Sequence, residues 1–170
     1  MKREVLFSDT YIRVVKLDDW FLATESPRSM NDINVAVLPW RKNKKSTQFL
    51  SRFELNPAHM TNKNPQVSII TGACETEDPL YHAQQELLEE AGYDINKSRF
   101  NFHGVVSPMK STCTKIHLYS VRIISKDKRQ EYHGDGSSHE HREYADWTNR
   151  NNMIWAKDPY IHTIMMRAGL

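Results

Sequence analysis

The chain has 170 residues, of which 39% are hydrophobic and 26% charged, with a formal net charge of +2; this is the profile of one globular domain long enough to bury a core. So small a charge argues against nucleic-acid binding, and no apolar run approaches the roughly 18 residues that a membrane span needs. Cys74 and Cys113 offer neither a disulfide framework nor zinc-ligand spacing, and the opening M-K-R-E-V-L-F-S-D has no apolar leader, so a reducing, cytoplasmic setting is expected.

In chain order, Tyr11 to Leu17 and Trp20 to Thr24 are rich in β-branched and aromatic residues around an Asp18-Asp19 turn, which predicts an N-terminal β-meander. Glu25 to Asn31 reads as a linker, so residues 1–30 lead into a core over 31–170 of the same single domain. Ile33 to Pro39 and Gln48 to Leu55 are the next predicted strands. The basic turn Arg41 to Lys45 between them reads as a solubility feature. Arg52 lies on the second of these strands. Asn56 to Pro65 is a polar loop, and Val67 to Ile70 is a short strand feeding into a loop at Gly72.

The next stretch is the most informative. Asp78 suits an N-cap, Pro79 a first turn and Gly92 a C-terminal stop, so the sequence predicts a helix over 79–91. Leu80, Ala83, Leu87 and Ala91 form its apolar stripe. Glu86, Glu89 and Glu90 share a neighbouring arc near the negative end of the helix dipole, where like charges are unfavourable and call for compensation. Two readings stand: a solvated acidic face, or oxygen ligands for a hard divalent ion such as Mg²⁺ or Mn²⁺.

Further on, Asn101 to Ser107 and Lys115 to Ile124 are predicted strands, the second plainly alternating. Ser125 to Arg142 is a long polar loop of the kind that is functional or mobile, and Glu143 to Trp147 enters a strand. Asp158-Pro159 opens a last helix whose Ile161, Ile164, Met165 and Ala168 pack on the sheet.

The run from Gly72 to Tyr93 resembles the Nudix box, in which G and E are separated by five residues and a further seven residues precede R-E-U-x-E-E-x-G-U, U being aliphatic. Glu77 and Gln85-Glu86-Leu87-Leu88-Glu89-Glu90-Ala91-Gly92-Tyr93 match its second half. Two departures stand out: only four residues separate Gly72 from Glu77, and Gln85 occupies the arginine position. The resemblance implies the α/β Nudix fold, a mixed β-sheet sandwiched between α-helices. It also implies a metal site of Glu86, Glu89, Glu90 and the Thr71 carbonyl. In similar enzymes an arginine on the Arg52 strand contacts the diphosphate, a role that here stands level with that of a plain surface arginine. Pro108, sixteen residues after Gly92, matches the proline associated with ADP-ribose and sugar-nucleotide hydrolases, although Cys113 stands about where their acid would be.

A glutamate in the long loop orients or deprotonates water in similar hydrolases. Glu140 and Glu143 are the candidates, and Glu89 is the third carboxylate carried into the catalytic set. The implied reaction is metal-dependent hydrolysis of a nucleoside diphosphate derivative, ADP-ribose first. Another Nudix substrate (a different sugar nucleotide, NADH, a dinucleoside polyphosphate or capped RNA) and a non-catalytic nucleotide sensor are the alternatives. A nucleotide small molecule is the expected partner, and by resemblance the meander makes the chain a candidate homodimer.

Overall fold

The computed structural model describes residues 2–18, 21–43, 46–54, 65–131 and 144–170. Trp20, Leu55, most of the predicted 56–65 loop, and Glu140 and Glu143 lie outside them.

Strands β1 (Arg3–Ser8), β2 (Arg13–Leu17) and β3 (Phe21–Glu25) form an antiparallel meander. The sequence reading anticipates β2 and β3 but not β1. All six residues of β1 are exposed, so it carries no buried/exposed alternation for a pattern to reveal. The Glu25 carboxylate holds the ends of the meander together, accepting from Arg3 at 3.1 and 2.6 Å and from Arg13 at 3.2 Å.

The larger sheet contains β4 (Ile33–Lys42), β5 (Thr47–Glu54), β6 (Gln66–Ser68), β7 (Ile70–Ala73), β8 (Phe100–Val106), β9 (Lys115–Arg122) and β10 (Tyr144–Asn149). Its order is β10-β5-β4-β9-β8, with β6 on β5 and β7 on β4. The β4/β9 pair is parallel and the others are antiparallel, which makes the sheet mixed. Strands β4 and β5 pair only near their hairpin, Trp40 to Lys42 against Thr47 to Phe49. Beyond that they splay. Strand β6 follows Arg52 to Glu54 of β5, and β7 follows Asn34 to Val37 of β4, so the segment 66–73 is a wedge in the fork. At the break in the wedge, Ile69 N–H donates to Asp158 at 2.9 Å, the same carboxylate that caps the last helix.

Helix α1 (Pro79–Ala91) covers one face of this sheet, while α2 (Arg150–Met153) and α3 (Pro159–Ala168) pack on the other. Val35 and Val37 point toward α1 with Leu50, Ile70 and Leu87; Ala36 and Leu38 point toward α3 with Leu118, Ile161 and Ile164. Burial on both faces explains why β4 reads as a continuous apolar run rather than an alternating one. This is the predicted α/β layering. No helix is long and apolar enough to cross a membrane among the described residues.

One buried-edge ion pair fixes the end of β9. Arg99 donates to both oxygens of Asp127 at 2.7 Å, and the Ile124 N–H donates to one of them at 2.8 Å. The guanidinium, with the backbone N–H behind it, holds the Asp127 carboxyl below the usual carboxylate range. A depressed folded value stabilises the protein above the ordinary carboxylate range, and that contribution is lost as pH falls through the folded value. An Asp127→Asn variant is therefore expected to lose about 1–2 kcal/mol at pH 7. Denaturant melts should show the difference shrinking once the pH is taken well into the acid range; a gap that stays constant at low pH would contradict the assignment.

Candidate active site

Helix α1 is set by local chemistry at both ends. The Asp78 side chain accepts from Tyr81 N–H at 3.0 Å and from Lys97 Nζ at 2.9 Å, with Pro79 in the first turn. At the C-terminus Gly92 takes φ +74°, and its N–H donates to the Leu88 carbonyl at 2.8 Å. Arg129 Nε donates to the Ala91 carbonyl at 2.9 Å, and Arg129 also reaches the Ala145 carbonyl on β10 at 2.7 Å. A cation thus sits on the negative end of the helix, where the three glutamates crowd.

Helical geometry then separates those glutamates. Glu86 and Glu90 are about 40° apart around the axis, whereas Glu89 is about 100° from Glu90 and lies roughly opposite the apolar stripe. Glu86 and Glu90 are half-buried and Glu89 is exposed. Glu90 is ion-paired with the Arg52 guanidinium through Oε1, in a contact whose side chains are only 12% and 15% exposed. Arg52 Nε also lies 3.9 Å from Glu54. The surface reading of Arg52 is thereby overturned: β5 aims it inward at α1.

Glu86 is placed by Gly72. A Cβ built on Gly72 would lie 1.7 Å from Glu86 Oε1 and 2.0 Å from its Cδ, so the carboxylate occupies the space a side chain would fill. Gly72 is a strand residue opposite Val35, not a loop residue as the sequence suggested; a glycine inside a strand often marks such a close approach. Thr71, next to it, has an exposed side chain and faces Ala36. Burial, with Glu86 and Asp78 adding their charge, pushes the nearby Cys74 thiol up to about 12, so it is a packing residue rather than a nucleophile.

The short connection from β7 to α1 is closed by His82, which sequence reasoning passed over. Its Nε2 accepts the Thr76 N–H at 3.1 Å and lies 2.9 Å from Thr76 Oγ1. A backbone donor on Nε2 places the ring proton on Nδ1.

Pro108 is exposed in the β8–β9 connection. The pairings Val105–His117, His117–Val35 and Val35–Gly72 run across the sheet in one row, so this connection emerges at the Gly72 end. Behind Pro108 the chain is tied to the meander, where Thr24 exchanges backbone bonds of 2.8 Å with Ser111 and Cys113. Glu140 and Glu143 lie outside the described residues, as stated above. Among the described residues no three carboxylate, imidazole or thiol groups converge as a ligand cluster. Glu86 lies against Gly72, the neighbour of Thr71, and Glu90, one turn further along α1, already holds a cation in the form of Arg52. Such a donor set, all oxygen, fits a hard divalent ion.

No family model matches the chain, and no curated protein does. Solved structures do match. The chain aligns with a structure described as an ADP compounds hydrolase at TM-score 0.59 and 14% identity, covering 91% of this chain and 79% of that one. It aligns with the NUDIX domain of Shewanella oneidensis NrtR complexed with ADP ribose at TM-score 0.57 and 10% identity, covering 81% and 85%. A MutT/nudix family protein from Enterococcus faecalis aligns at TM-score 0.52 and 14% identity, over 71% of this chain and 44% of that one. At these identities the likeness is one of fold. The chain has the Nudix fold.

Proposed function

We propose that the protein hydrolyses the diphosphate bond of a nucleoside diphosphate linked to another moiety, with ADP-ribose going to AMP and ribose 5-phosphate as the leading reaction. The observation that carries this reading is the pair of inward carboxylates, Glu86 laid across Gly72 and Glu90 bound to Arg52. Glu86, Glu90 and the Thr71 carbonyl would hold Mg²⁺ or Mn²⁺, with Glu89 joining from the adjacent arc. A bound ion neutralises charge on the diphosphate oxygens and activates water.

The chain's own groups do the rest. Gly72 lets the Glu86 carboxylate lie flat on the strand, Arg52 supplies fixed positive charge beside Glu90, and Pro108 shapes the sugar side at the same end of the sheet. Glu140 or Glu143 is assigned to the proton of the attacking water. Two structural neighbours, one described as an ADP compounds hydrolase and one as complexed with ADP ribose, support trying ADP-ribose first.

The test is a panel of ADP-ribose, another sugar nucleotide, NADH, a dinucleoside polyphosphate and capped RNA, incubated with Mg²⁺ or Mn²⁺ and resolved by chromatography. AMP and ribose 5-phosphate from ADP-ribose are expected, and only with metal. Faster cleavage of another member reassigns the substrate. Binding of ADP-ribose without product from any member supports a sensing module instead, a reading favoured by Gln85 at the motif's arginine position and by Arg52 already occupying Glu90.

A further inference from the structure

Glu90 raises a problem that its motif alone does not. A carboxylate offered to a divalent ion is engaged by a guanidinium delivered from β5, a strand whose backbone is fixed on both sides by pairing of Arg52 with Ala145 and with Ser68. Both side chains are largely buried, so neither charge is well screened by water. A divalent ion at Glu90 and a guanidinium on the same carboxylate repel each other at close range. The two cations compete.

We propose that Arg52 is a tethered counter-cation which occupies Glu90 in the metal-free protein and must give it up for a divalent ion to bind there. This rests on the metal-site reading above. The pair is then an inhibitory contact with a consequence for order of binding. A polyanion that attracts the guanidinium releases Glu90, and by linkage the ion and the anion favour each other's binding. Without the anion the site is held shut with Glu90 neutralised, which also eases the crowding of negative charge at this helix end. Glu54, 3.9 Å from Arg52 Nε, gives the displaced cation an alternative carboxylate on its own strand.

The experiment is a Mn²⁺ titration of the nucleotide-free full chain, reading free Mn²⁺ by its paramagnetic resonance signal, in the parent, Arg52→Gln, Arg52→Lys and Glu90→Gln proteins. Arg52→Gln is expected to bind Mn²⁺ roughly tenfold more tightly than the parent, since one competing charge is gone. Arg52→Lys should stay near the parent, and Glu90→Gln should bind more weakly. Added ADP-ribose should tighten Mn²⁺ binding in the parent and do so much less in Arg52→Gln.

Thermal melts of the same samples guard against misfolding: Mn²⁺ should raise the midpoint of Arg52→Gln more than that of the parent. Equal or weaker Mn²⁺ binding by Arg52→Gln overturns the proposal, as does a failure of the parent and all three variants to bind Mn²⁺. Tighter binding by Arg52→Gln with no hydrolysis of any nucleotide leaves the competition established and sinks only the hydrolase reading.

Discussion

Replacing Gly72 by alanine is expected to lower turnover by roughly 10²-fold or more while leaving the melting temperature almost unchanged. The new Cβ would sit 1.7, 2.0 and 2.6 Å from Oε1, Cδ and Cγ of Glu86. All three atoms belong to a flexible side chain, so the clash is relieved by swinging the carboxylate away rather than by moving the strand. Gly72 does not have a positive φ, and alanine costs its backbone nothing. On the proposed reading, Gly72 therefore matters through the room it leaves for Glu86 and not through its own backbone conformation. Gly92 provides the contrast. Its φ is +74° and a Cβ there would meet the Gln130 backbone carbonyl at 2.4 Å, so Gly92→Ala should cost about 1–2 kcal/mol or more of stability. Parallel melts and ADP-ribose turnover for the two variants separate the roles. If Gly72→Ala keeps full turnover, Glu86 in its observed place has no catalytic task.

How much of this was readable in advance follows from the range of the interactions involved. Helix α1 was legible to the residue, because Asp78, Pro79 and Gly92 act on their immediate neighbours and Leu87 and Ala91 repeat at helical spacing. Strand β4 was legible as a strand, while its burial on two faces emerges only from the packing of α1 and α3. Strand β1 was not legible: its residues gain hydrogen-bond partners from β2 but no burial. Gly72 was read as a loop because glycine ordinarily breaks a strand, whereas here it makes room for a side chain arriving from a helix 14 positions later.

The three glutamates do not share one environment. A consistent treatment of the 100° step already sets Glu89 on the outer arc, where it is exposed. The Arg52–Glu90 contact spans 38 positions, and it depends on how β5 pairs with β6 and β10. No local pattern encodes that. The one available signal was negative: a motif missing its arginine at Gln85 needs its positive charge from elsewhere, and an arginine on a strand beneath the helix was the nearest candidate.

Truncating the charge on Glu90 should have the largest effect of any single change. A Glu90→Gln variant keeps the side-chain volume and an oxygen that can accept from Arg52, so the packing of α1 on β5 survives. What it loses is the negative charge. In the folded protein that loss leaves Arg52 less well balanced, with Glu54 at 3.9 Å as a further carboxylate among the described residues, and a cost of about 1–2 kcal/mol is expected. Catalysis loses more, because an amide oxygen is a poor substitute for a carboxylate in holding a hard divalent ion, whose electrostatic contribution to the barrier is several kcal/mol. Turnover should therefore fall roughly 10³-fold, a loss far exceeding what the stability change would produce at a temperature where both proteins are folded. Raising Mg²⁺ should recover part of the rate if the defect is in metal affinity, and none of it if the defect lies only in substrate binding. Full turnover by Glu90→Gln on every nucleotide of the panel would remove α1 from the chemistry and leave it as a packing helix whose charged end is neutralised by Arg52 and Arg129.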